Sequence, residues 1–247
     1  MNKFALTAAA KKFPLSPVAA KFWNRLSHEC ELWKKGISRV AGVDEAGCGP
    51  LAGPVVAAAV IFPSSWLDAG LPGKFRGLND SKQLTEDDRE KFFDRIKSHP
   101  EIHYAIAMMD VETIDRINIR QAAWRAMNQA LNELQPRAEH VLVDGLRIRW
   151  LAYPQTPLVQ GDARSYSIAA ASVLAKVTRD RLMRELDKQF PGYGFAVHKG
   201  YSTPQHFEAI VKLGPCPIHR KSFAPFKPKE LELFEPAALK TDRPRIV

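Results

Sequence analysis

The stretch GPVVAAAVIF, residues 53–62, carries no polar side chain and is closed off by Pro63. It is far too short to span a bilayer, which takes about 20 apolar residues. A continuous apolar run bounded by Gly and Pro reads as a strand covered on both faces. Such a strand needs a layer on each side. The run therefore points to a sheet with helices packed against it.

The rest of the chain supplies those layers. Residues 39–44, in SRVAGVDEAG, are apolar and compatible with a strand. IHYAIAMM, 102–109, reads as a third strand. HVLVDG, 140–145, is a short buried strand ending in an aspartate, and TPLVQGD, 156–162, repeats that design. A helix near 86–98 has Asp80 or Thr85 as its cap. The three-to-four spacing of Ile114, Ile117, Trp124, Met127 and Leu131 predicts one helical stretch over 111–134, ended by Pro136. A long helix over 165–189 begins at SIAAASVLAKVTRD, and a shorter one lies near 204–213. The expected fold is a mixed α/β sheet with helices on its faces. Its domain runs over 37–226, between a basic N-terminal extension, 1–36, and a polar tail, 227–247. Within the extension, a short helix over 25–35 would end at Gly36.

Net charge is +9, from 36 basic and 27 acidic residues. That balance favours a polyanionic partner and says nothing about the fold. Cys30, Cys48 and Cys216 are odd in number and lack metal-ligand spacing, which argues against a zinc site or a disulfide framework. With neither a secretory leader nor a membrane span in the pattern, the chain reads as cytoplasmic.

Three predicted strand ends carry acids: Asp44 with Glu45, Asp144, and Asp162. In open α/β sheets, sites form at the carboxyl ends of strands. Acids meeting there repel one another and need protons or cations to hold them. Mg²⁺ or Mn²⁺ suits an all-oxygen donor set. Taken singly, Asp162 is as well explained as a helix cap and Asp144 as a turn former. Asp44 and Glu45 are neighbours, and on a regular strand they face opposite ways. Both reach one site only if the strand ends or bulges there, which Gly47 and Gly49 permit.

Six motifs, AGVDEAGCGPLAGPVVAAAVIF, LNDSKQL, VLVDG, GDARSYSIAAASVLAKVTRDRLM, HKGYSTPQH and PIHRKSF, together resemble ribonuclease HII, the type 2 ribonuclease H family. The resemblance covers residues 28–226. It implies a ribonuclease H-like fold, a mixed five-stranded sheet flanked by helices with a C-terminal helical part. It implies endonuclease action on the RNA strand of RNA–DNA hybrids and at ribonucleotides embedded in duplex DNA, as in ribonucleotide excision repair. Asp44, Glu45, Asp144 and Asp162 match the family's four acids, which hold two divalent ions, Mn²⁺ or Mg²⁺, and leave 3′-hydroxyl and 5′-phosphate ends. Gly47, Cys48 and Gly49 match a Gly-Arg-Gly turn that approaches the ribonucleotide. Tyr201 matches the tyrosine that packs on the junction sugar, and Lys82 is assigned to phosphate. Cys48 departs from the pattern, since a thiol cannot make the charged fork of an arginine. Arg76, Lys176, Arg179, Lys199 and Arg220 are further candidates for phosphate. Lys176 and Arg179 have Asp180 or the acidic cluster as alternative partners. The tryptophans are assigned to packing. The expected protein is a monomer with no membrane contact. A competing reading makes His198 and His219 a metal-free acid–base pair.

Overall fold

The computed structural model describes residues 25–226. The basic arm before residue 25 and the polar tail lie outside the described residues. Five strands form one sheet: β1 (Val40–Ala46), β2 (Val55–Ile61), β3 (His103–Met109), β4 (His140–Asp144) and β5 (Gln155–Leu158). Their spatial order is β3-β2-β1-β4-β5. β2 pairs antiparallel with β1 and β3, while β4 runs parallel to β1 and β5. The mixed five-stranded sheet matches the expectation.

Nine helices accompany the sheet among the described residues: α1 (Ser27–Trp33), α2 (Trp66–Ala69), α3 (Glu86–Lys97), α4 (Val111–Ile117), α5 (Ile119–Glu133), α6 (Gly161–Arg164), α7 (Tyr166–Gln189), α8 (Phe195–His198) and α9 (Pro204–Leu213). Every residue of β2 is buried. Its side chains alternate between two cores, as the two-residue period of a strand requires. Val56, Ala58 and Val60 face α7 and the α1 side, while Ala57, Ala59 and Ile61 face α5. α7 crosses β1 at close range. A Cβ on Gly42 would run into the Ser167 backbone, so only glycine lets the start of α7 lie over β1.

Three expectations about elements change. Residues 111–134 form two helices, because Asn118 takes a left-handed φ of 67° and its side chain caps α5 by accepting the Gln121 N–H. Thr85 caps α3, whereas Asp80 caps a separate 3₁₀ turn at Ser81–Gln83. Asp162 does not end a strand. β5 stops at Leu158, Gln160 turns the chain with φ 55°, and Asp162 sits on α6.

α1 belongs to the packed domain. Leu26, Cys30 and Trp33 join the α7-side core. Glu29, wholly buried, accepts hydrogen bonds at Oε1 from Ser165 Oγ at 2.6 Å, Ser167 N at 3.0 Å and Ser167 Oγ at 2.7 Å. A carboxylate on the first amides of α7 is stabilised by the positive end of the helix. In sequence, Glu29 is one of two glutamates, with Glu31, in a basic segment, and nothing local marks it for burial.

Candidate metal centre and substrate cleft

Topology brings the acids together. β4 lies parallel beside β1, with Val143 opposite Val43, so Asp44 and Asp144 are next in register. Asp144 Oδ1 accepts the Gly161 N–H at 2.7 Å, which draws α6 onto the end of β4. Oxygens of Asp44, Asp144 and Asp162 all lie within 4.8 Å of one another. The Asp162 backbone is fixed in turn by Arg25, whose Nη2 donates to its carbonyl at 2.7 Å.

Repulsion and burial show in the acidities. Burial, then the charges of Glu45 and Asp144, hold the Asp44 carboxyl well above the usual range. Asp162 is pushed up to about 6 by burial and then by Asp144 and Asp80. A cluster of oxygens that resists ionisation is the donor set a hard divalent cation relieves. The residues therefore fit Mg²⁺ or Mn²⁺.

Glu45 is placed differently from the other three. β1 stays regular through Ala46, with Glu45 opposite Ala57, so its side chain turns toward the α5 face. It accepts the Cys48 S–H at 3.4 Å and borders a cavity of about 300 Å³ shared with Asp144. Burial raises its pKa, against the lowering effect of the Cys48 bond. The Cys48 thiol is itself pushed up by burial and by Glu45, so it stays protonated.

The turn at Gly47-Cys48-Gly49 rests on two buried arginines. Arg220 donates to the carbonyls of Gly47 at 2.6 Å, Cys48 at 3.1 Å and Gly53 at 2.8 Å. Arg179 donates to the carbonyls of Pro54 at 2.9 Å, Ala52 at 3.0 Å and Lys199 at 3.1 Å. Both are about 1% exposed or less, so their place is in the scaffold and not on phosphate. Lys176 is paired with Asp180 at 2.8 Å, and Lys199 Nζ donates to the Ala196 carbonyl. Lys82 lies in the field of the acids. Burial works against its charge, but Asp80, Asp162, Asp44 and Asp144 outweigh it and raise its pKa. Tyr201 is 41% exposed, and a Cβ on Gly49 would meet its ring at 3.7 Å. The glycine turn and the tyrosine thus form one wall.

That wall is held from behind by histidines. His206 Nδ1 lies 2.9 Å from the Tyr201 carbonyl, and its Nε2 lies 3.1 Å from His219 Nε2. His198 stacks on His206 with ring centroids 4.4 Å apart. His198 is buried between the Tyr193 carbonyl and the Gly200 N–H, and His219 between the Cys216 N–H and His206, which removes them as an acid–base pair. Trp33 and Trp66 pack in the core as expected, but Trp150 stands 79% exposed.

Comparisons with known proteins agree on one family and on the fold. The family model described as Ribonuclease HII matches residues 41–226. A ribonuclease HII of Anaeromyxobacter sp. is 50% identical over 217 residues, which cover 85% of this chain and 66% of that relative. A ribonuclease HII of Ruminiclostridium cellulolyticum is 52% identical over 198 residues, covering 80% of this chain and 74% of the relative. Among solved structures, ribonuclease H2 from Pyrococcus horikoshii OT3 superposes with a TM-score of 0.62 at 28% identity, over 75% of this chain and 94% of the other.

Proposed function

This chain belongs to the ribonuclease HII family and is a ribonuclease H, and we propose that it cuts the RNA strand of RNA–DNA hybrids and single ribonucleotides embedded in duplex DNA. The observation that carries the reading is the convergence of Asp44, Asp144 and Asp162 within 4.8 Å, next to an exposed tyrosine on a glycine turn. Asp44, Asp144 and Asp162 would hold divalent ions, Mg²⁺ or Mn²⁺, and Glu45 would join them from the neighbouring cavity. Two such ions, when bound, supply an activated water and stabilise the leaving 3′-oxygen of an in-line displacement, leaving 3′-hydroxyl and 5′-phosphate ends.

The protein's own groups orient the substrate. The backbone at Gly47-Cys48-Gly49 offers close approach to a ribose. The 2′-hydroxyl is what separates RNA from DNA at such a point. Tyr201 packs on the sugar at the junction. Lys82, in the field of the acids, takes a phosphate near the cut. Among the described residues no helix is long and apolar enough to cross a membrane. The same reading expects a monomer acting in the cytoplasm in ribonucleotide excision.

The decisive experiment is cleavage of duplex DNA carrying one ribonucleotide, with the ends mapped. Cleavage on the 5′ side of the ribonucleotide in Mn²⁺ or Mg²⁺, abolished by EDTA, is expected. Full activity in EDTA, or cyclic phosphate products, would overturn the metal assignment.

A further inference from the structure

A second groove runs from the acid cluster along α5. Arg120 and Trp124 of α5 line the cavity that holds Glu45, Cys48 and Asp144. The same two residues line an outer groove with Arg149 and Trp150, and that groove continues past Arg147 to Gln155. Arg125 borders it from the next turn of α5. None of the residues lining the outer part is acidic.

Four arginines here are unemployed. Among the described residues, Arg120, Arg125, Arg147 and Arg149 neither pair with a carboxylate nor donate to a carbonyl. Elsewhere Arg25, Arg39, Arg89, Arg179 and Arg220 do, while Arg76, Arg116 and Arg137, scattered over other faces, do not. The loop that presents two of them is not slack. Ile148 is buried between them, and Gln155 binds both its N–H at 2.9 Å and its carbonyl at 3.0 Å. Arg147 and Arg149 therefore project outward from an anchored point. Trp150 follows with φ 59°, a left-handed conformation uncommon for a bulky side chain, and its ring stands in solvent. A strained backbone holding an indole out of the core, beside unpaired guanidinium groups, suits a ligand with negative charge and flat faces.

We propose that this groove holds an unpaired stretch of nucleic-acid strand as it leaves the acid cluster, with phosphates on Arg120 and Arg149 and a base stacked on Trp150. The proposal rests on the nuclease reading above and extends it to the substrate's flank. A duplex keeps its base faces inside and offers the surface only its backbone. An exposed tryptophan gains a stacking partner only from a strand with splayed bases. An acidic peptide would satisfy the arginines but not the indole.

The test compares the full-length protein on hybrid substrates with blunt ends and with a single-stranded tail of about ten nucleotides on one side of the cut or the other. A tail of one polarity is expected to lower KM roughly tenfold at unchanged kcat, the scale of one stacked base with its phosphates. Arg149→Ala and Trp150→Ala should each remove most of that gain, while Trp150→Phe keeps it. Equal KM for tailed and blunt substrates, or a gain that survives Arg149→Ala combined with Trp150→Ala, would overturn the proposal. Tryptophan quenching by oligodeoxythymidine, compared between wild type and Trp150→Phe, reads the groove without cleavage. Quenching that depends on Trp150 supports it, and quenching by polyglutamate but not by oligodeoxythymidine assigns the groove to an acidic peptide instead. If the wild type quenches but cuts no hybrid, the nuclease reading has failed and the groove stands.

Discussion

Two arginine-bearing walls adjoin the acid cluster, and they use the same side chain in opposite ways. On the Tyr201 wall, Arg179 and Arg220 are buried and spend their donors on backbone carbonyls. On the Trp150 wall, Arg120, Arg147 and Arg149 are exposed and unpaired among the described residues. The first pair fixes the shape of a turn that would meet the ribose. The second set has its donors free. What separates a scaffold arginine from a ligand arginine is the supply of carbonyls that the fold places within reach.

The floor between the walls should show the largest effect. Asp144→Asn keeps a side-chain oxygen for the Gly161 N–H but removes a charge from the cluster. Cleavage should fall by more than the roughly 10–100-fold typical of losing a group that merely supports a metal ligand. Hybrid binding measured without metal should survive, because both walls remain. Asp44→Asn should add a second signature. Its carboxyl is raised in the fold, so it contributes stability at acid pH that is lost as pH rises through the folded value. Removing the charge should raise the melting temperature of the metal-free protein at pH 7 by a few degrees, taking about 2–4 °C per kcal/mol. An unchanged or lower melting temperature would mean that the acids are not under mutual strain.

The walls themselves differ in what their arginines should cost to lose. Arg220→Met strips four carbonyls, those of Gly47, Cys48, Gly53 and Pro54, of a buried charged donor and should destabilise the fold by about 3–5 kcal/mol. Arg147→Met touches no partner and should stay within about 0.5 kcal/mol. Urea unfolding of the two variants reads this contrast directly. Similar losses would erase the distinction between the walls.

Much of this was legible beforehand, and the misses share a cause. The five strands, α3, α7 and α9 announced themselves through apolar runs and caps such as Thr85, because burial on two faces leaves a local signature. Asp44 and Asp144 stand out in the sequence because carboxylates behind apolar runs are costly without a reason. Asp162 was misplaced as a strand end because the left-handed turn at Gln160 has no mark in composition. The break at Asn118 hid inside an unbroken apolar period. Glu29, Arg25, Arg179 and Arg220 were unreadable because their partners are backbone groups or side chains far along the chain. Trp150 was assigned to packing because an exposed indole and a buried one look alike in sequence.

Acidity separates the walls again, at a smaller scale. Burial depresses His219 to about 4, and His206 is lowered by the same cause. An unfolded histidine near 6.5 binds protons that the folded one refuses. Stability of the lobe behind Tyr201 should therefore rise with pH from about 4 to about 6.5 and be lost as pH falls through that window. The Trp150 wall has no histidine lining it and should show no such slope. Hydrogen exchange at pH 5 and pH 7, read separately for residues 195–219 and 145–155, measures the difference. Equal pH dependence in both segments would break the contrast.

The smallest expected effect lies where the two walls meet, at Cys48. Its thiol donates to Glu45 and thereby lowers that carboxyl's pKa against the raising effect of burial. Cys48→Ala removes the donor without touching the turn, since Arg220 holds the residue through its backbone carbonyl. Glu45 should then hold its proton to higher pH, and the acid limb of the cleavage profile should move toward alkaline pH, with the rate on the plateau nearly unchanged. One weak hydrogen bond is worth on the order of 1 kcal/mol, so the displacement should stay within about one pH unit. Cys48→Arg tests the same point from the other side. Arg120 already lines the cavity that Cys48 and Glu45 share. A second guanidinium there should tighten hybrid binding clearly in an Arg120→Ala background and only slightly with Arg120 in place. Equal tightening in both backgrounds would show that the two positions act on separate phosphates.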